Sequence, residues 1–118
     1  MRYMMLIKLD PSQAPEGGPS AELMEQMGKL IDEMTRAGVM LDTGGLSPIE
    51  ESSRMQLSGG KQTVLDGPFT EAKEIVGGYA LIQVKSRDEA LQWGSRFLDV
   101  HGDDWEIALE VRQVVEPE

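Results

Sequence analysis

The chain has 118 residues, of which 40% are hydrophobic and 27% charged, with a net charge of −10 and no cysteine. That fits one soluble domain over residues 1–118 with a modest core. It excludes disulfides, thiolate metal sites and cysteine nucleophiles, and it argues against phosphate-rich or anionic-membrane partners, which reward clustered Lys and Arg. Tyr3–Leu9 is short and apolar and reads as a strand. The N-terminal apolar run is shorter than the roughly 7–15 residues of a secretory core, and no run nears the roughly 20 of a membrane span. A cytoplasmic protein is the expectation. "DPSQAPEGGPS" is a Pro/Gly loop ending in Ser20, a helix cap. Leu23, Met24, Met27, Leu30, Ile31 and Met34 recur at helical spacing, and Gly38 closes that helix.

Val39–Leu41 reads as a second strand running into the turn-rich "DTGGLSP". Met55 and Leu57 alternate with polar neighbours, Gly59-Gly60 is a hairpin turn, and Thr63–Leu65 returns. Gly77-Gly78 leads into the apolar strand "YALIQV". Ser86 and Glu89 form a capping box that opens a second helix through about Leu98. Trp105, Ile107, Leu109 and Val111 alternate with polar or small residues, a strand period. The order β-α-β, hairpin, β-α-β is that of a ferredoxin-like α+β sandwich with the hairpin inserted between its halves.

Right-handed crossovers place both helices on one face of such a sheet. The first strand nonetheless offers Tyr3, Met5 and Ile7 to one side and Met4 and Leu6 to the other. "YALIQV" sets Tyr79 and Leu81 against Ala80, Ile82 and Val84. A two-sided apolar strand needs two covers, and a homodimer packed sheet to sheet supplies the second. The rival cover is the hairpin with the long loop, folded over the open face.

"LDGPFTEAKE", Leu65–Glu74, concentrates special residues at a strand end. The usual local partner of Asp66, the amide two residues on, does not exist, because Pro68 has no N–H. Asp66 therefore bonds further along, at Phe69 or Thr70, or keeps its carboxylate available as a general base or ligand contact. Gly67 permits backbone angles that other residues avoid, Pro68 stiffens the exit, and Phe69 is expected to anchor the loop in the core. Lys73 can pair with Asp66 or hold an anion, while Glu71 and Glu74 read as a solvated turn.

This motif, followed by "GGY" and a strand, resembles the DGPF subgroup of the YCII-related proteins. "GGL" at Gly44–Leu46 with Pro48, "DEAL" at Asp88–Leu91 and "EVRQV" at Glu110–Val114 extend the resemblance along nearly the whole chain. It implies a ferredoxin-like fold of the dimeric α+β barrel type, with sheets facing each other. The wider family is proposed to include enzymes with a His–Asp pair, and some DGPF members are encoded beside extracytoplasmic-function sigma factors. The motif aspartate is Asp66. Pro19–Met24, where the family's histidine is expected, contains none, and Gln113 stands where a proline is common.

The single histidine, His101 in "DVHGDD", suits a helix C-terminus better than a metal site. The Gly-Gly pairs form neither G-x-G-x-x-G nor a P-loop, so no metal and no cofactor is expected. Two functions remain. The first is a dimeric small-molecule-binding or regulatory protein whose ligand meets Asp66, Gly67, Pro68, Phe69 and Lys73. The second is a lyase, isomerase or hydrolase with Asp66 as general base, assisted by Tyr79 or His101.

Overall fold

The structure, a computed structural model, describes residues 1–69 and 74–116. The elements run β1 (Arg2–Leu9), α1 (Ala21–Arg36), β2 (Met40–Gly45), β3 (Ser53–Ser58), β4 (Lys61–Asp66), β5 (Ile75–Gln83), α2 (Arg87–His101) and β6 (Ile107–Gln113), with short 3-10 turns at Pro11–Gln13 and Ile49–Glu51. The fold is α+β. One antiparallel sheet has the order β2-β5-β1-β6, and β3-β4 form a separate two-stranded sheet.

Both helices start as the sequence predicts. The Ser20 hydroxyl accepts from Leu23 N at 3.0 Å and the Ser86 hydroxyl from Glu89 N at 3.1 Å. These caps satisfy amides that have no partner inside the helix. The Glu89 carboxylate completes its half of the box one residue early, on Lys85 N at 2.9 Å. The second helix runs a turn beyond Leu98 to His101, where Gly102, with φ +71, ends it.

The helices cover one face of the large sheet. Tyr3, Met5, Ala80, Ile82 and Val84 are buried there against Leu30, Met34 and Ala90, and Ile82 is 0% exposed. Burying such a side chain contributes about 1.5–3 kcal/mol. Glu33 and Arg96 join the two helices, with Arg96 Nη2 donating to Oε1 at 2.9 Å. On the other face Met4, Leu6, Tyr79 and Leu81 stay half-exposed. The two-sided pattern read in the sequence is thus present, with one side covered.

The hairpin does not supply the second cover. Among the described residues its strands pair only with each other, and Met55, Leu57 and Val64 are 69%, 72% and 61% exposed. The chain measures 46 × 45 × 18 Å with a radius of gyration of 16.2 Å. A compact domain of this length would have roughly 13–14 Å. The body is two layers thick, and β3-β4 stands off it as an arm.

Three of the four glycine pairs behave in two ways. Gly59-Gly60 form the arm's tip with φ +57 and +78, the doubly left-handed turn that suits a hairpin. Gly44-Gly45, expected in a turn, and Gly77-Gly78, expected to lead into a strand, lie inside β2 and β5. They pair backbone to backbone, Gly45 opposite Gly78 and Gly44 opposite Tyr79, and long-range pairing there overrides the local turn preference.

Candidate functional site

These paired glycines make a cavity. Side chains alternate across a strand, so Thr43 and Gly45 of β2 face the helices together with Ala80 and Gly78 of β5. At Gly45 and Gly78 the helix-facing surface carries no side chain. A Cβ on Gly45 would meet nothing within 4 Å, whereas one on Gly78 would lie 3.1 Å from Ile7 Cδ1 and 3.0 Å from Gly44 O. The space left between α1 and the sheet is a cavity of about 310 Å³.

Its roof is Met24, Met27, Leu30, Ile31 and Met34 of α1. Its floor is Met5, Ile7, Met40 and Ala80, with Phe97 of α2 at one side. Among the described residues no charged side chain lines it. The Thr43 hydroxyl in its wall already donates to Tyr79 O at 2.9 Å. Met24, 61% exposed, stands at the rim. Such a chamber offers dispersion and desolvation to a ligand and has nothing to hold a charge. Methionine side chains, unbranched and polarizable, adapt to ligand shape.

The motif residues lie elsewhere. Asp66 ends β4 and is exposed, opposite Ser53. Its Oδ1 accepts from the Ser53 hydroxyl at 3.0 Å, a partner on the facing strand, while Thr70, the other expected partner, lies outside the described residues. Gly67 is required by contact: its N–H donates to Ser52 O at 2.7 Å, and a Cβ there would collide with Ile49 O. The Gly67–Pro68 peptide is cis. Phe69 is half-buried outside the core cluster, with the Arg54 guanidinium 4.0 Å above its ring. The expected core anchor is therefore a cation–π contact at the root of the arm. Lys73, with Thr70 and Glu71, falls outside the described residues. Glu74 is not simply solvated, because it pairs with Lys8 at 3.0 Å across β1 and β5.

Tyr79 projects from the helix-free face, opposite to the cavity. Its ring lies over Gly44, where an added Cβ would come within 3.2 Å. Its hydroxyl donates to Asp42 Oδ2 at 3.0 Å. This hydrogen bond, with the nearby carboxylate charge and burial, raises the phenol above the usual tyrosine range. His101 turns back on its own helix, Nδ1 lying 3.0 Å from Phe97 O, and its ring packs between Phe97 and Trp105. Phe97 also lines the cavity, so His101 stands behind that wall rather than in it. No hydrogen bond among the described residues joins Asp66, Tyr79 and His101.

The YCII-related domain matches residues 1–101, from β1 to the end of α2. The chain belongs to the YCII-related family. A similar protein from Rhizobium meliloti (strain 1021), itself uncharacterised, is 32% identical over 71 residues, 60% of this chain and 57% of that protein. The chain thus spans a little over half the length of the curated relative it matches.

For this YCII-related chain, sequence reading singles out Gly67 for backbone freedom, whereas the structure needs a glycine there for contact with Ile49 O, and it misses the cavity. The signal is present in two parts that carry no meaning separately. The methionines of α1 read as one apolar helix face, the pair at 44–45 reads as part of a turn, and the pair at 77–78 reads as the lead-in to a strand. No helix is long and apolar enough to cross a membrane among the described residues.

Proposed function

We propose that this YCII-related protein is a homodimeric small-molecule-binding or regulatory protein of the DGPF subgroup, taking small uncharged apolar or aromatic ligands. The observation that carries this reading is the cavity of about 310 Å³ under α1, lined by methionines and glycines and, among the described residues, free of charged side chains. Its size falls at the low end of roughly 300–1,000 Å³ for ligand pockets. The "DGPF" residues Asp66–Phe69 support the subgroup. The strand order β2-β5-β1-β6, with one helix crossing over in each half, supports a ferredoxin-like sandwich. The half-exposed Met4, Leu6, Tyr79 and Leu81 support sheet-to-sheet pairing of two copies, as in a dimeric α+β barrel. The cysteine-free composition agrees with a cytoplasmic setting.

Binding is favoured over catalysis by Asp66 because Tyr79 is engaged with Asp42 and His101 with Phe97, leaving neither set beside that carboxylate. The test is a thermal-shift screen of small apolar compounds on wild type and Asp66→Asn, with each hit followed by mass spectrometry for turnover. Hits that stabilise both proteins and come back unchanged support a binder. Turnover that disappears in Asp66→Asn would make the protein an enzyme.

A further inference from the structure

The arm has two unlike faces. Cross-strand partners share a face, so Met55, Leu57 and Val64 lie together, with Gln62 toward the tip and Ser53 and Asp66 at the root, while Arg54, Gln56, Ser58, Lys61, Thr63 and Leu65 take the other side. The first set forms an apolar patch at the far end of the hairpin, and no described residue of its own chain covers it. A two-stranded hairpin alone in water is marginally stable, so an amphipathic one is built to be met.

Charge identifies what meets it. Residues 53–66 hold two basic side chains and one acidic, a net +1. The rest of the chain then holds nine basic against twenty acidic, a net −11. The arm is a basic projection from an acidic body, and a second copy presents that acidic body at every encounter. The arm also springs from the ends of β2 and β5, neighbouring strands of the large sheet. Two copies related by a twofold axis can then exchange arms reciprocally, burying two patches in one association.

We infer that β3-β4 is an exchange arm whose Met55, Leu57 and Val64 pack on the body of a second copy of this chain. The inference rests on the homodimer proposed above and adds to it a segment that each copy donates. The cysteine-free sequence makes the test specific. Leu57→Cys is labelled with a benzophenone maleimide, mixed with isotopically heavy unlabelled protein and irradiated, with Met55→Cys as the second probe position. Light scattering of the same samples gives the mass in solution.

The expected result is a covalent dimer of twice 13.0 kDa, in which the label joins light protein to body peptides of heavy protein. Lys61→Glu should lower its yield at least twofold at low salt. A dimer by light scattering whose crosslinks stay within one chain at both positions overturns the exchange arm and leaves the dimer standing. A monomer by light scattering overturns both.

Discussion

Gly45→Val tests the cavity without damaging the fold. Gly45 lies in β2, its φ is outside the left-handed region, and an added Cβ would meet nothing within 4 Å. Valine suits a strand, and its three carbons would enter the space a ligand needs. About 310 Å³ corresponds to the liquid share of roughly ten waters, hence a ligand of roughly ten heavy atoms. At about 0.8 kcal/mol per methylene, filling it yields about 8 kcal/mol. Association costs at least about 4 kcal/mol, which leaves a net of about 4, near millimolar affinity. Displacing three carbons' worth of ligand removes about 2.4 kcal/mol, a weakening of roughly fifty-fold. Indole, a neutral bicyclic of suitable size, serves as the probe, and methionine methyl NMR is the assay. Of the eight methionines, Met5, Met24, Met27, Met34 and Met40 line the cavity, while Met1, Met4 and Met55 do not. Indole should shift the first five and spare the other three. The Gly45→Val substitution should abolish the shifts while leaving the melting temperature equal or higher. Shifts centred on Met4 or Met55, or a Gly45→Val variant that binds as wild type, would refute the reasoning.

Other substitutions probe the arm's root and the sheet. Gly67→Ala drives a Cβ into Ile49 O, and relieving the clash should break the residue-67 amide bond to Ser52 O, with strain of about 1–3 kcal/mol. Amide exchange at residue 67 should speed by roughly tenfold or more while the global melting temperature barely moves, because the arm lies outside the core. Ile82→Ala, at the most buried position, should cost about 2–5 kcal/mol in denaturant unfolding. Leu81→Ala, on the half-exposed opposite face of the same strand, should cost clearly less in the single chain. Asp42→Asn should bring the Tyr79 phenol back toward its ordinary pKa, read by tyrosine-selective NMR. A phenol raised by folding stabilises fully below its unfolded value of about 10 and loses that contribution as pH climbs through the folded value. Wild type should therefore lose stability in that alkaline window, and Tyr79→Phe should lose less.

What the sequence discloses is what neighbouring residues decide. Ser20 and Ser86 announce the helix starts because a cap needs only a hydroxyl and an amide three residues on. Gly59-Gly60 announces a hairpin because the turn conformation is its own requirement. The same dipeptide at 44–45 and 77–78 does not form a turn, since its conformation is set by pairing between residues more than thirty positions apart. Asp66 shows the same limit: its special character is visible beside Pro68, yet its partner among the described residues, Ser53, stands thirteen residues upstream. Gly67 is legible as unusual, but the carbonyl that forbids a side chain there belongs to Ile49.

The cavity exists because two limits of legibility coincide. A glycine row in the sheet would normally be filled by large side chains from the opposing layer, since interiors pack to the density of organic crystals. Here the opposing layer offers Met24, Met27 and Met34, long thioether chains that leave the row above Gly45 and Gly78 open. Replacing these methionines by stiffer branched residues would fix the roof's shape and narrow the range of ligands, whereas methionine keeps it adjustable. A stable core alone does not need this combination of missing side chains below and compliant ones above. The proposed binding of an apolar guest does.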